Sequence, residues 1–336
     1  MEQLRVAVVG AGAMGSDHIV RLNTRTSGAV VSGVIDHDGA KAQAALKAAP
    51  EAVIYESVAE AISSGQVDAF LIATPGDYHE ADLLPILAAG LPVFCEKPLT
   101  TSVESALRIC AAEEATGKHL IQVGYHRRFD EGYLALKQQI EAGAMGELLL
   151  LHCTHRNPRV PDWYASPMLI ADSVSHEFDI VRFLTGSPIT SVEVKALKRN
   201  SLAPERLQEP ILVILRTESG VTAIVEMNVS IQFGYQVITE AVFESGVSEI
   251  GRTQSMTTWS AGTISQPEHT WYIPRFAAAY DQEIQSWVDA ARAGTISGAS
   301  AWDGYISVAC VKAGLASQQS GDVVSPSYQP RPAFYS

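Results

Sequence analysis

The sequence is poor in the features that mark several whole classes of protein. Its four cysteines, Cys95, Cys110, Cys153 and Cys310, are scattered and form no CxxC pair. That excludes a disulfide framework and a zinc pattern, and no metal site is expected. Lys and Arg number 24 against 37 Asp and Glu, a net charge of −13, and no dense basic run occurs. A nucleic-acid binder carries a basic patch, so that class is set aside. No apolar run approaches the ~18 residues a membrane helix needs. The first residues, MEQLRVAVVGAG, lack the basic-then-apolar layout of a signal peptide. With cysteines read as core thiols of a reducing compartment, a cytoplasmic protein is expected. No internal repeat or low-complexity tract is present.

What is there is globular. The 336 residues are 47% hydrophobic and 18% charged, and the length exceeds a comfortable single core. Two domains are expected. The first opens on LRVAVV (residues 4–9), a valine-rich run suited to a strand buried on both faces of a parallel sheet. GAGAMG follows at once, with Gly10, Gly12 and Gly15 in GxGxxG spacing, then a helical segment over 14–26 and a second apolar run ending in Asp36. Each glycine has a task. Gly10 permits the tight turn, Gly12 lets the backbone approach a pyrophosphate, and Gly15 allows close helix–strand packing. Phosphates are favoured at a helix N-terminus, where free N–H groups and the dipole attract anions. Asp36, 21 positions after Gly15, is placed to bond ribose hydroxyls. Its carboxylate repels a 2′-phosphate, and no arginine precedes Lys41 in IDHDGAK, so NAD is expected over NADP.

The strand–helix alternation continues. AVIYES, VDAFLIATP and LPVFCEKP read as strands, with VAEAISSG and HEADLLPILAAG as helices and Gly90 as a stop. This predicts a doubly wound parallel sheet, whose ligands bind beyond the carboxyl ends of the strands. Lys97, in FCEKPLT, lies at one such end, before Pro98.

Here the chain resembles the Gfo/Idh/MocA oxidoreductases. The likeness rests on GAGAMG, on ATPGDYHEADLLPILAAGLPVFCEKPL, and on DSVSHEFDIVRFL. Within that family it is most similar to the bacterial branch that oxidises inositols, through IQVGYHRRFDEGYLALK, LLHCTHRNPRVPDWY, FAAAYDQEIQSWVD and AWDGYISV. The resemblance implies an NAD-binding Rossmann domain, residues 1–123, and an α+β domain, residues 124–336, with a large, mostly antiparallel open sheet that binds substrate and builds a homotetramer. It implies Lys97, in the turn Glu96-Lys97-Pro98, together with Asp172 and His176 as catalytic machinery, with Glu96 and Lys97 also at the cofactor. It further implies Ala13, Met14, Thr74, Pro75 and His79 at the cofactor, and His126, Arg127, His155, Asn157, Trp163, Tyr235 and Tyr280 around the substrate.

The residues after 123 agree with a change of pattern. ELLLLHCTH (147–155) reads as a strand, and a polar loop follows. Residues 168–184 read as an amphipathic helix, with Asp172 and His176 four apart on one face. Strand-like runs then succeed one another without helices, as in an antiparallel meander, and helices near 276–293 and 302–318 close the chain. On that helix alone, Asp172 and His176 read equally well as an exposed pair. Beside Lys97 and a dinucleotide fold, they read as a site for alcohol oxidation: His176 takes the hydroxyl proton, Asp172 orients, and Lys97 steadies the oxygen. His126 stands where inositol-oxidising relatives carry an apolar residue, so it and Trp163 are expected to tune substrate choice. His18 and His119 read as structural or surface residues. The expected substrate is a cyclic polyol, myo-inositol first, with another inositol isomer, an aldose or a sugar glycoside as alternatives. A non-catalytic nucleotide-binding regulator is the remaining reading, disfavoured because a regulator is free to lose Lys97, Asp172 and His176 and this chain keeps all three. No nucleic-acid or membrane partner is expected.

Overall fold

A computed structural model describes residues 3–252 and 256–336. The first two residues of the expected N-terminal domain and residues 253–255 of the second lie outside it. The chain divides into two compact units. The first follows the sequence to His126, then takes in Ala278–Val308 and Gln329–Ser336; the second holds Arg127–Ala277 and Ala309–Tyr328. The chain therefore passes between units at several points, not once at 123.

The first unit is built on six parallel strands in the order β3-β2-β1-β4-β5-β6. These are β1 (Leu4–Val9), β2 (Ala29–Ile35), β3 (Val53–Ile54), β4 (Ala69–Ile72), β5 (Val93–Glu96) and β6 (Ile121–Gly124). Every residue of β4, β5 and β6 is buried, the result expected when helices cover both faces of a sheet. The helices between them are α1 (Ala13–Thr24), α2 (Gly39–Ala45), α3 (Val58–Ser63), α4 (His79–Ala88) and α5 (Val103–Thr116). Local chemistry sets their ends. Ser57 and Ser102 accept the N–H groups of Glu60 and Ser105 as N-caps, each worth about 1 kcal/mol. Gly117 ends α5 in the left-handed conformation.

The core of this unit joins Val6, Val8, Leu71 and Phe94 to Ile19 and Leu22 of α1. It also includes Ile284, Trp287 and Val288 from α9 (Ala277–Ala293), whose Trp287 packs edge-on against Phe94 at 5.8 Å. Burying side chains of this size stabilises by roughly 1.5–3 kcal/mol each. That is why most of a helix so late in the sequence belongs to the first unit.

The second unit begins with α6 (Glu131–Ala142) and β7 (Leu148–Arg156). A π-helical turn, Leu169–Val174, runs straight into α7 (Ser175–Thr185). Then come β8 (Ile189–Ala196), β9 (Ile211–Thr217), β10 (Thr222–Asn228), β11 (Gln236–Phe243) and β12 (Val247–Ile250). A small hairpin, β13 (Thr258–Ser260) with β14 (Thr263–Ser265), the short α8 (Tyr272–Arg275) and the later part of α10 (Ala301–Ser320) complete the unit.

The large sheet has the order β12-β11-β7-β10-β9-β8. It is antiparallel except at one place: β7 lies between β10 and β11 and pairs parallel with β10, Leu150 opposite Thr222 through Arg156 opposite Asn228. The expected meander is thus interrupted, because β10 and β11, consecutive in sequence, are not neighbours. The expected single helix over 168–184 is likewise modified, since its first turn is π-helical. Such turns recur at functional sites. Strand β10 alternates strictly: Ala223, Val225 and Met227 are fully buried, while Thr222, Ile224, Glu226 and Asn228 are half-buried. Among the described residues no helix is long and apolar enough to cross a membrane.

Candidate active site

In the first unit the site starts where β1 runs out. Gly10 adopts φ +91°, a conformation L side chains rarely take. A Cβ on Gly15 would lie 1.7 Å from the Gly10 carbonyl oxygen, so α1 packs against the turn as only glycine allows. Gly12 differs: a Cβ there would meet nothing within 4 Å. It is the N-cap of α1, with no side-chain cap and no acidic residue in the first turn. Ala13 and Met14 form that turn. The result is an open cradle of backbone N–H groups at a positive helix end, suited to a pyrophosphate.

Asp36 closes the cradle at the end of β2. Its carboxylate accepts from Ala11 N at 2.6 Å and from Asp38 N at 2.8 Å, and the side chain is 5% exposed. A carboxylate offers about four acceptor positions, so this one is held rigidly and still has capacity for hydroxyl donors. Thr74 Oγ1, after β4, is buried without a partner. These residues fit a dinucleotide.

The Lys97 turn is braced from behind. Its Lys97–Pro98 bond is cis. His79 is fully buried and ties two loops together, Nε2 lying 2.7 Å from Thr74 O and Nδ1 2.9 Å from Pro98 O. Burial holds its pKa below the usual imidazole value. Glu96 pairs with the buried His18 at 2.7 Å and accepts from Lys97 N at 3.2 Å. His79 and Glu96, expected at the cofactor, are therefore placed to shape the loops that reach it. His18 is structural, as expected. Pro75 is exposed at the surface of the same loop. His126 and Tyr280 lie together in this unit, both buried, their rings stacked at 4.4 Å and 28°, with the Arg21 guanidinium 5.2 Å from the Tyr280 ring.

In the second unit Asp172 sits on the π turn and His176 in the first turn of α7, both half-buried. The His176 ring is 6.3 Å from that of His155 on β7, and His155 is 6.4 Å from Tyr235. Burial raises the Tyr235 phenol pKa, keeping it neutral. Asn157 donates its backbone N–H to Asn228 O at 2.8 Å and has a buried Oδ1 without a partner. Trp163 stands apart, 69% exposed beside Tyr164.

Arg127 and Arg128, adjacent in sequence, do not form a solvated pair. Arg128 makes two bonds to Asp179, at 2.6 and 2.9 Å. Arg127 is 2% exposed and donates to Glu177 Oε1 at 2.5 Å. Burial pushes the Glu177 carboxyl upward, but Arg127 and then His155 overcome this and hold it at about 2. Glu177 is the residue that sequence reasoning missed. Its signal was present: Glu177, Val181 and Leu184 share one helical stripe, and a carboxylate there stands where an apolar residue belongs. Among the described residues no cluster of His, Cys, Asp or Glu is arranged to hold a metal.

A parallel sheet in this order, a glycine-lined helix N-terminus and an acid after the second strand define a dinucleotide-binding oxidoreductase domain of the Rossmann type. Residues 4–125 match the family model described as an oxidoreductase family with an NAD-binding Rossmann fold, and residues 133–249 match the GFO/IDH/MocA C-terminal domain. The chain belongs to the GFO/IDH/MocA oxidoreductase family, and its cofactor is NAD. It is 52% identical over 335 residues to inositol 2-dehydrogenase of Corynebacterium glutamicum, covering 99% of each chain. It is 48% identical over 333 residues to that of Leifsonia xyli, covering 99% of this chain and 98% of the relative. Its fold matches the crystal structure of myo-inositol dehydrogenase from Lactobacillus casei in complex with NAD(H) and myo-inositol. The TM-score there is 0.96 at 32% identity, over 99% of this chain and all of that one.

Proposed function

We propose that this chain is an NAD-dependent inositol dehydrogenase that oxidises one ring hydroxyl of myo-inositol to the ketone, an inosose. The observation that carries the reading is the full-length likeness to inositol 2-dehydrogenases together with retention of Lys97, Asp172 and His176. The first unit holds the dinucleotide, with Gly10, Gly12 and Gly15 at the pyrophosphate and Asp36 at the adenosine ribose. The second supplies the substrate-reading groups.

NAD, when bound, accepts the hydride that leaves the alcohol carbon. His176 takes the hydroxyl proton, since imidazole changes charge near neutral pH. Lys97 stabilises the negative charge that develops on the oxygen, and Asp172 orients the hydroxyl and balances charge. Asn157, with its unpartnered Oδ1, and His155 read neighbouring ring hydroxyls. Arg127 contributes through the buried ion pair that fixes His155. His126, stacked on Tyr280 in the first unit, and Trp163, exposed on a loop of the second, tune substrate choice. A polyol satisfies such groups, whereas an apolar alcohol leaves them unpaired.

The half-buried face of the large sheet carries Ile224, Ile214, Leu212 and Ile238. That supports face-to-face packing of subunits in a homotetramer. The acidic composition, reduced cysteines and polyol chemistry support a cytoplasmic role in carbohydrate catabolism. Oxidation of inositol isomers with NAD, followed by absorbance of the reduced cofactor, tests the reading, and failure with every isomer would refute it.

A further inference from the structure

The second unit buries a charge that the proposed chemistry does not use directly. Glu177 is 1% exposed and follows the proposed base, His176, in sequence. Its carboxylate holds two groups at once. Arg127 Nη1 donates to Oε1 at 2.5 Å, while His155 Nδ1 lies 3.0 Å from Oε1 and 3.3 Å from Oε2. Arg127 Nη2 lies 3.2 Å from the same imidazole nitrogen.

These contacts ask Nδ1 for opposite things. A guanidinium only donates and a carboxylate only accepts, so Nδ1 carries either a lone pair for Arg127 or a hydrogen for Glu177. The distances decide. Both oxygens of the carboxylate face Nδ1, against one guanidinium nitrogen. A bare lone pair there would confront an ionised carboxylate in a site shut off from water, where such repulsion is strong. A hydrogen there faces a guanidinium whose charge the same carboxylate already balances at 2.5 Å. Protonating both ring nitrogens would give the buried trio a net positive charge, which burial disfavours.

We infer that Glu177 is a positioning residue that fixes His155 as its Nδ1–H tautomer, leaving Nε2 as a hydrogen-bond acceptor for a substrate hydroxyl. The inference rests on the reading of the chain as an inositol dehydrogenase. A polyol presents O–H donors as well as acceptors, and arginine and lysine side chains supply donors only. A neutral acceptor is what they lack. With the tautomer set by a buried carboxylate, the site discriminates in favour of a hydroxyl at that ring position over a group without a hydrogen to give.

Two measurements test this. Neutron diffraction from a deuterated crystal of the unaltered protein shows the hydrogen itself. Deuterium on Nδ1 with a bare Nε2 is expected; deuterium on Nε2, alone or together with Nδ1, overturns the inference. In Glu177→Gln the amide keeps the shape without fixing the tautomer. There we expect KM for inositol to rise about tenfold, kcat to fall by less than about threefold, and the NAD dissociation constant to stay within about twofold. A folded Glu177→Gln protein with unchanged KM overturns the inference, and if that variant does not fold the neutron result decides alone. Should the unaltered enzyme oxidise no inositol isomer, the functional reading fails, and the hydrogen on His155 still decides the tautomer.

Discussion

Alanine at Gly12 and alanine at Gly15 should separate cofactor binding from folding, although the two glycines belong to one motif. At Gly15 the added Cβ meets the Gly10 carbonyl oxygen at 1.7 Å and its carbon at 2.9 Å. Real Cβ contacts do not fall below 3.0 Å, and both atoms are backbone, so the start of α1 must move by at least about 1.3 Å. Overpacking of this kind costs about 1–3 kcal/mol or more. For a chain of 336 residues that lowers the melting temperature by roughly 1.5–4 °C. Gly12 has φ −69° and ψ −163°, which any L residue adopts, and nothing lies within 4 Å of its would-be Cβ. Gly12→Ala should therefore melt within about 1 °C of the unaltered protein. Its methyl group, however, projects into the cradle the pyrophosphate must enter, and we expect NAD binding to weaken by about thirtyfold or more, on the order of 2 kcal/mol. Melting curves with and without NAD, and calorimetric titration, read both quantities. Tight NAD binding in Gly12→Ala, or normal melting in Gly15→Ala, would refute the assignment of separate tasks.

Other parts of the account are open to equally direct tests. Asp36→Ala should narrow the preference for NAD over NADP, because it removes the carboxylate that repels a 2′-phosphate; kcat/KM for both cofactors reads this, and a protein that already favours NADP contradicts it. Lys97→Ala and His176→Ala should each lower kcat by about 10²–10⁴-fold while leaving NAD binding nearly intact. Near-normal turnover in His176→Ala would remove it from the role of base. Light scattering at micromolar concentration should give the mass of four chains of 36.1 kDa, and a monomer would contradict the proposed packing of sheet faces.

Much of this was legible because the local signals are strong and agree. The valine run, the three glycines and Asp36 place the first strand, the cradle and the second strand without any distant contact. Harder to read was whatever depends on residues far apart in sequence. Nothing local tells that β7 inserts between β10 and β11, since strand order is a property of packing and not of alternation. Trp287 marks a buried helix face, but only the structure shows that it packs on Phe94, nearly two hundred positions earlier. The same holds for the candidate site. His79 reads in sequence as a cofactor-side residue, and the structure shows both of its nitrogens against backbone carbonyls of neighbouring loops. Arg127 reads in sequence as a substrate residue, and only the structure shows that its charge is paired with Glu177. A buried polar residue and a ligand-binding one look alike in sequence, because both are charged residues in apolar surroundings.

The central claim is the substrate, and one measurement reaches it most directly. The purified protein is mixed with NAD and, in turn, with myo-inositol, other inositol isomers, glucose, a methyl glycoside and short-chain alcohols, and reduced cofactor is followed by absorbance. The account predicts the highest kcat/KM with an inositol, lower values with glucose or the glycoside, and none with the short-chain alcohols. Turnover of a sugar with no turnover of any inositol would contradict it.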